Sequence, residues 1–197
     1  MTDREPSNTR NILPHEASRV LIYGVTGSGK STLAIVLSKI SGIEAHLVDE
    51  EFGWLPNWTS RPPVEIRELV APVVAGDAWI FDSAYATFRD LVTPRAQLIL
   101  GLDYSRARTL AQLLRRTVKR IISKEPVCNG NIETWRSLLS KDSIVAWYFK
   151  SFNRKRSTMR QLAKTASIVP RVLLFKNPRQ TADWLNSLKA AAESRNR

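Results

Sequence analysis

Residues 19–32 read RVLIYGVTGSGKST. Arg19 to Tyr23 is a short apolar, partly β-branched run, the pattern of a buried strand, and it ends on Gly24. From Lys30 to Ser41 the apolar residues Leu33, Val36, Leu37 and Ile40 recur at helical spacing, and Gly42 supplies the stop. Between strand and helix, Gly24 to Ser31 satisfies G-x-x-x-x-G-K-[ST]. Glycines let successive backbone N–H groups curl toward one anion, and the helix that follows points its positive end at the same place. A strand before the motif and a helix after it are the context this pattern requires.

The same alternation continues along the chain. Ile43 to Val48 predicts a second strand ending at Asp49, and Ala78 to Phe81 a third ending at Asp82. Ala96 to Leu102 predicts a fourth ending at Asp103, and Arg171 to Phe175 a fifth. Helices are expected at Val64–Val74, bent or ended near Pro72, at Arg106–Ile122, at Ser143–Ala166 and after Pro178. Glu50 to Pro63, rich in Trp, Pro and Gly, reads as a shaped loop, and Ser123 to Lys141, with Pro126 and Asn129-Gly130-Asn131, as a looser segment. Strands alternating with helices predict an α/β fold, a five-stranded parallel sheet with helices on both faces. Residues 1–17 are polar, lack an apolar leader core and read as a loose tail, leaving 18–197 as one domain.

Ligands of such sheets sit beyond the carboxyl ends of the strands. The motif makes Gly24, Thr26, Gly27, Ser28, Gly29, Lys30, Ser31 and Thr32 the expected nucleotide-binding residues, with Lys30 reaching the β and γ phosphates of ATP. Ser31 and Asp82 are the expected Mg²⁺ partners. Asp49 is placed to hold an acceptor and take its proton. Asp103, on the same edge, reads more readily as a cap or turn residue. Arg61 and Arg67 are candidates for holding the acceptor, Trp54 and Trp58 for a stacking wall, and Asn177 for the border of the adenine.

The 197 residues carry a formal net charge of +12. Between Tyr104 and Lys164 there are fifteen Lys and Arg against Glu125, Glu133 and Asp142, a surplus of twelve, so the rest of the chain is neutral. Such concentration implies an anionic partner, either the phosphates of a small ligand or a nucleic-acid backbone. Arg116 and Arg120 share one helical face before the Pro/Asn/Gly segment, and Arg154 follows it. They are expected in a basic helical lid over about residues 115–160, neutralising charge on a transferring phosphate. The single cysteine, Cys128, excludes a disulfide within the chain and a cysteine-rich zinc site. No stretch approaches the roughly 20 apolar residues needed to cross a bilayer, so a cytoplasmic protein is expected.

With these pieces in place the chain resembles the small P-loop kinases of the adenylate kinase type. More closely it is similar to the adenylate kinase-related group known as topology modulation proteins. GVTGSGKST, VDEEFGWLPNW, WIFDSAY, LLRRTVKR and NGNIETW carry the likeness, which spans about Arg19 to Leu188. It implies a P-loop NTPase fold, phosphate contacts from Gly27 to Thr32, lid roles for Arg116 and Arg120, and Asp49 and Asp82 on the acceptor side. Ser83-Ala84-Tyr85 departs from the Gly-Asn-Tyr of that group. Three functions follow as expectations: a Mg-ATP-dependent kinase acting on a small acceptor, a P-loop ATPase or nucleotide-gated protein that binds nucleic acid through its basic segment, and a kinase-like toxin or regulator.

Overall fold

The structure is a computed structural model that describes residue 13, residues 16–165 and residues 170–195. Most of the expected tail lies outside these residues, but Leu13 and Ala17 are buried against the core. The chain forms β1 (Arg19–Gly24), α1 (Lys30–Ser41), β2 (Ala45–His46), the small hairpin β3 (Trp54–Leu55) and β4 (Thr59–Ser60), then α2 (Pro63–Ala75) and β5 (Trp79–Phe81). There follow α3 (Arg89–Val92), β6 (Leu98–Leu102), α4 (Arg106–Ser123), the single turn α5 (Trp135–Leu138), α6 (Ile144–Thr165), β7 (Arg171–Phe175) and α7 (Pro178–Arg195).

Five strands pair in the order β2-β5-β1-β6-β7, all parallel, as the alternation predicts. β1 is central because both its faces are apolar. Val20 and Ile22 join Leu98, Leu100 and residues of α1 and α7 on one side, while Leu21 and Tyr23 join Ile99, Phe81 and residues of α2, α3 and α6 on the other. Val20, Leu21 and Ile22 are fully buried, each worth about 1.5–3 kcal/mol relative to exposure. A third, smaller core of Val25, Leu113, Tyr148 and Phe152 fastens α4 to α6 beside the glycine loop. There the buried Tyr148 hydroxyl donates to the Arg106 carbonyl at 2.9 Å and meets Thr109 Oγ1 at 2.7 Å.

Two expectations shift. The second strand is two residues long because Glu51 folds back on it. Its carboxylate accepts from Leu47 N at 2.8 Å and sits 2.9 Å from His46 Nδ1, which turns the chain into one π-helical turn over Asp49–Gly53. α2 runs through Pro72 to Ala75, since Val70 and Val74 are buried on either side of the proline. α6 extends to Thr165, and Ala166, its expected end, lies outside the described residues.

Candidate functional site

α1 begins immediately after Gly29, whose φ of 90° is left-handed, and no side chain caps that end. α4, α5 and α7 are closed by side chains: Ser105 accepts from Arg108 N, Thr134 forms a capping box, and Asn177 accepts from Gln180 N, whereas α2 and α3, like α1, start without a side-chain cap. The first amides of α1 thus point without a protein acceptor toward the carboxyl edge of the sheet. No acidic side chain sits in the first turn of α1 to occupy them.

A cleft of about 1280 Å³ opens over this end. Its floor is the glycine loop, with Thr26, Gly27 and Gly29 followed by Lys30, Ser31 and Thr32. Asp49 and Asp82 line the side toward β2 and β5, and Arg116 and Arg120 line the α4 side. The cleft does not reach four other expected residues. Gly24 closes β1 against Leu102, and Ser28 is buried with its hydroxyl unpartnered. Arg154 turns outward over the Trp147 ring at 5.9 Å. Asn177 is spent on capping α7, which corrects its expected place beside the adenine.

Ser31 Oγ donates to Asp82 Oδ2 at 2.5 Å, and Val48 N donates to Asp82 Oδ1 at 3.0 Å. Burial raises the Asp82 pKa, against the lowering pull of those bonds and of Lys30. Lys30 Nζ donates to the Val25 carbonyl at 3.2 Å. Burial lowers the Lys30 pKa despite Asp82 and Asp49 nearby. Arg116 is open to water within the cleft, yet enough protein surrounds it to lower its pKa, with Arg120 adding to the effect.

The same holds at Lys155, which the sequence reading missed in favour of Arg154. Desolvation, with Lys30 second, lowers the Lys155 pKa to about 8. A signal was available, because Tyr148, Phe152 and Met159 mark the inward face of α6 and Lys155 falls on it at i+3 and i−4. Lys30, Arg116 and Lys155 form no ion pair among the described residues. A polycationic pocket of this kind suits a ligand bearing several phosphate oxygens.

The acceptor candidates divide. Asp49 accepts a hydrogen bond from Tyr85 OH at the cleft wall. Arg67, by contrast, is engaged with Asp90 at 2.7 and 2.9 Å and with the Thr87 carbonyl, outside the cleft. Arg61 pairs with Glu65 and donates to the Phe52 carbonyl. Trp54 and Trp58 meet edge to face at 5.7 Å and do not line the cleft. Asp103 accepts from Arg156 Nε at 2.6 Å and Arg160 Nε at 2.8 Å, tying α6 to the end of β6.

The Asn129-Gly130-Asn131 stretch, read as a loose part of the lid, is bound to the Trp-rich loop. Asn129 Nδ2 donates to the carbonyls of Glu50 and Trp54 at 3.0 and 2.5 Å. Asn131 Nδ2 donates to the Leu55 carbonyl at 2.9 Å, and its Oδ1 accepts from Trp58 N at 2.6 Å. Val127 and Asn131 exchange both backbone hydrogen bonds at 2.8 Å, closing the turn. It sets Cys128 in the cleft wall, where burial pushes its thiol up to about 12.

Among the described residues no helix is long and apolar enough to cross a membrane, and no three His, Cys, Asp or Glu cluster as a metal site. Neither family models nor curated proteins match the chain. Among solved structures it is similar to a gluconokinase from Sinorhizobium meliloti 1021, at 12% identity and a TM-score of 0.48, over 90% of this chain and 92% of that one. It is also similar to a sugar kinase from Janibacter sp. HTCC2649, at 17% identity and a TM-score of 0.44, over 87% and 96% of the two chains. A protein from Eubacterium ventriosum ATCC 27560 aligns at 8% identity and a TM-score of 0.40, over 88% and 99%.

Proposed function

We propose that this chain is a phosphotransferase that moves the γ-phosphate of ATP to a small acceptor. The observation that carries the reading is the meeting of Lys30, Arg116 and Lys155, none with an ion-pair partner among the described residues, at the uncapped start of α1. Bound triphosphate would accept from the first amides of α1 and from Lys30, while Arg116, Arg120 and Lys155 face its outer oxygens. Kinase catalysis of this type is mostly positioning and charge stabilisation, which such a set of donors supplies.

Ser31 and Asp82 fit a magnesium site. They present oxygen donors only, 2.5 Å apart, and Mg²⁺ commonly takes one or two protein ligands beside phosphate oxygens and water. When bound there the ion would neutralise charge on the β and γ phosphates. Asp49 would accept the proton of the acceptor hydroxyl as its oxygen bonds to phosphorus and the bond to ADP breaks, with Tyr85 orienting the carboxylate. The likeness to topology modulation proteins rests on the sequence motifs quoted above.

The test incubates the protein and Lys30→Ala with γ-labelled ATP, Mg²⁺ and a panel of nucleosides, nucleoside monophosphates and small sugars. Label should move to one class of acceptor with the native chain and to none with the variant. Equal transfer by both proteins, or no heat of Mg-ATP binding to the folded native chain, would sink the proposal.

A further inference from the structure

The part of the charge surplus that lies on α6 is divided between two faces, and only one of them belongs to the cleft. Lys155 faces inward. One residue on, the outward face carries Arg156, Arg160 and Lys164 at i, i+4 and i+8, hence about 6 Å apart along the helix. Asn153, Ser157 and Gln161 fall between them, and the six residues line a second hollow of about 500 Å³. Among the described residues Asp103 is the one carboxylate paired with these cations, accepting from Arg156 Nε and Arg160 Nε; the Arg160 side chain remains half exposed and Lys164 has no ion pair. A turn and more earlier on the same face Phe149 is 49% exposed, with the Arg106 guanidinium 5.3 Å from its ring.

We propose that this outer face of α6 binds single-stranded nucleic acid. Evenly spaced cations follow a backbone of phosphates, the interleaved amides and hydroxyl hydrogen-bond to phosphate and sugar, and an exposed ring backed by arginine offers a base a surface to stack on. An anionic membrane would ask instead for a row of apolar side chains to insert, and this stripe has only Phe149. A duplex would not present unstacked bases to the ring. The surface is independent of the cleft, so it stands or falls apart from phosphotransfer.

The test uses full-length protein carrying Lys30→Ala, which leaves the outer face intact. Its probe is fluorescent oligo(dT) of about 20 nucleotides, longer than most single-strand sites. Anisotropy should report binding at low salt. If three phosphates are neutralised, log affinity should fall against log salt with a slope of about −2, so that affinity drops roughly twentyfold between about 50 and 200 mM. Adding Lys164→Glu should make that slope shallower by about 0.7, and Phe149→Ala should weaken binding roughly fivefold. Both side chains are exposed, and circular dichroism checks that the variants fold. Absence of binding at low salt overturns the proposal, as do variants that bind like their parent. Displacement of the strand by excess Mg-ATP from the native protein would place it in the cleft, also overturning it. Binding to phosphatidylserine vesicles without binding to oligo(dT) would assign the face to membranes instead.

Discussion

The two ends of the cleft are built on opposite terms. At the end lined by Glu50 and Cys128, the polar groups of the 50–58 loop and of the 127–131 turn answer one another. Asn129 and Asn131 together take up three carbonyls and an amide of the loop. At the glycine-loop end the polar groups outnumber their partners among the described residues: the helix start is uncapped, three cations lack ion pairs, and the Ser28 hydroxyl is buried without a partner. A fold of this size places its closed networks where it needs rigidity. Open ones are retained where something else completes them. The first end is architecture, and the second is the one that the proposed phosphate ligand would complete.

The contrast can be broken most decisively at Lys30. Lys30→Ala should lower ATP turnover at least about a hundredfold, as loss of a charged transition-state donor does, while its thermal melting point stays level or rises. A melt that falls steeply instead would move Lys30 to the architectural side. Next in size is Asp82→Asn, which retains an acceptor for Val48 N but loses the charge. A roughly 10- to 100-fold rise in the Mg²⁺ concentration needed for half-maximal turnover is expected, read by Mg²⁺ titration; an unchanged requirement would remove Asp82 from the metal.

At the other end Asn131→Ala should cost about 1–3 kcal/mol of stability, because Trp58 N and the Leu55 carbonyl lose their partner. Urea unfolding measures this, and calorimetry should find Mg-ATP affinity unaltered. A stability loss near zero would mean the turn is not pinned. The smallest effect is expected from Lys155→Met. Native Lys155, with its pKa lowered to about 8, releases its proton as pH rises past that value, whereas the unfolded chain retains it to about 10.5. The unfolded state then binds more protons, so stability rises between those values. The methionine variant should therefore melt a few degrees higher at pH 7, with the gap closing as pH rises from about 8 toward 10.5, and it should bind ATP more weakly. A gap that stays constant with pH would show that the ammonium is not the cause.

The central strands, α1 with its glycine stop, and the motif between them were legible because their signals are local: a β-branched run, a 3.6-residue period, glycines at fixed spacing. Asp82 was legible because strand ends converge on one edge. Arg154 misled because charge was read by position in the chain, when one residue of offset is 100° of helix and separates it from Lys155. Arg67 misled because its partner, Asp90, is 23 residues away, and only the tertiary fold brings α2 and α3 together. The pinned turn was hidden for the same reason. Asn-Gly-Asn predicts a turn, but nothing local says that its side chains reach carbonyls some 75 residues back.

Gly27 has a practical bearing on how such a loop is interrogated. A methyl group there would come within 2.4 Å of the Thr109 carbonyl and 2.9 Å of Leu113 Cβ, and its φ of 78° already excludes most side chains. The residue thus serves two masters, the curl of the loop and the seating of α4. Any replacement would displace a neighbouring main chain that cannot retreat by a rotamer change. An inactive Gly27 variant would accordingly diagnose a dislodged helix as readily as a lost ligand, and the side chains of Lys30 and Ser31 are the cleaner levers.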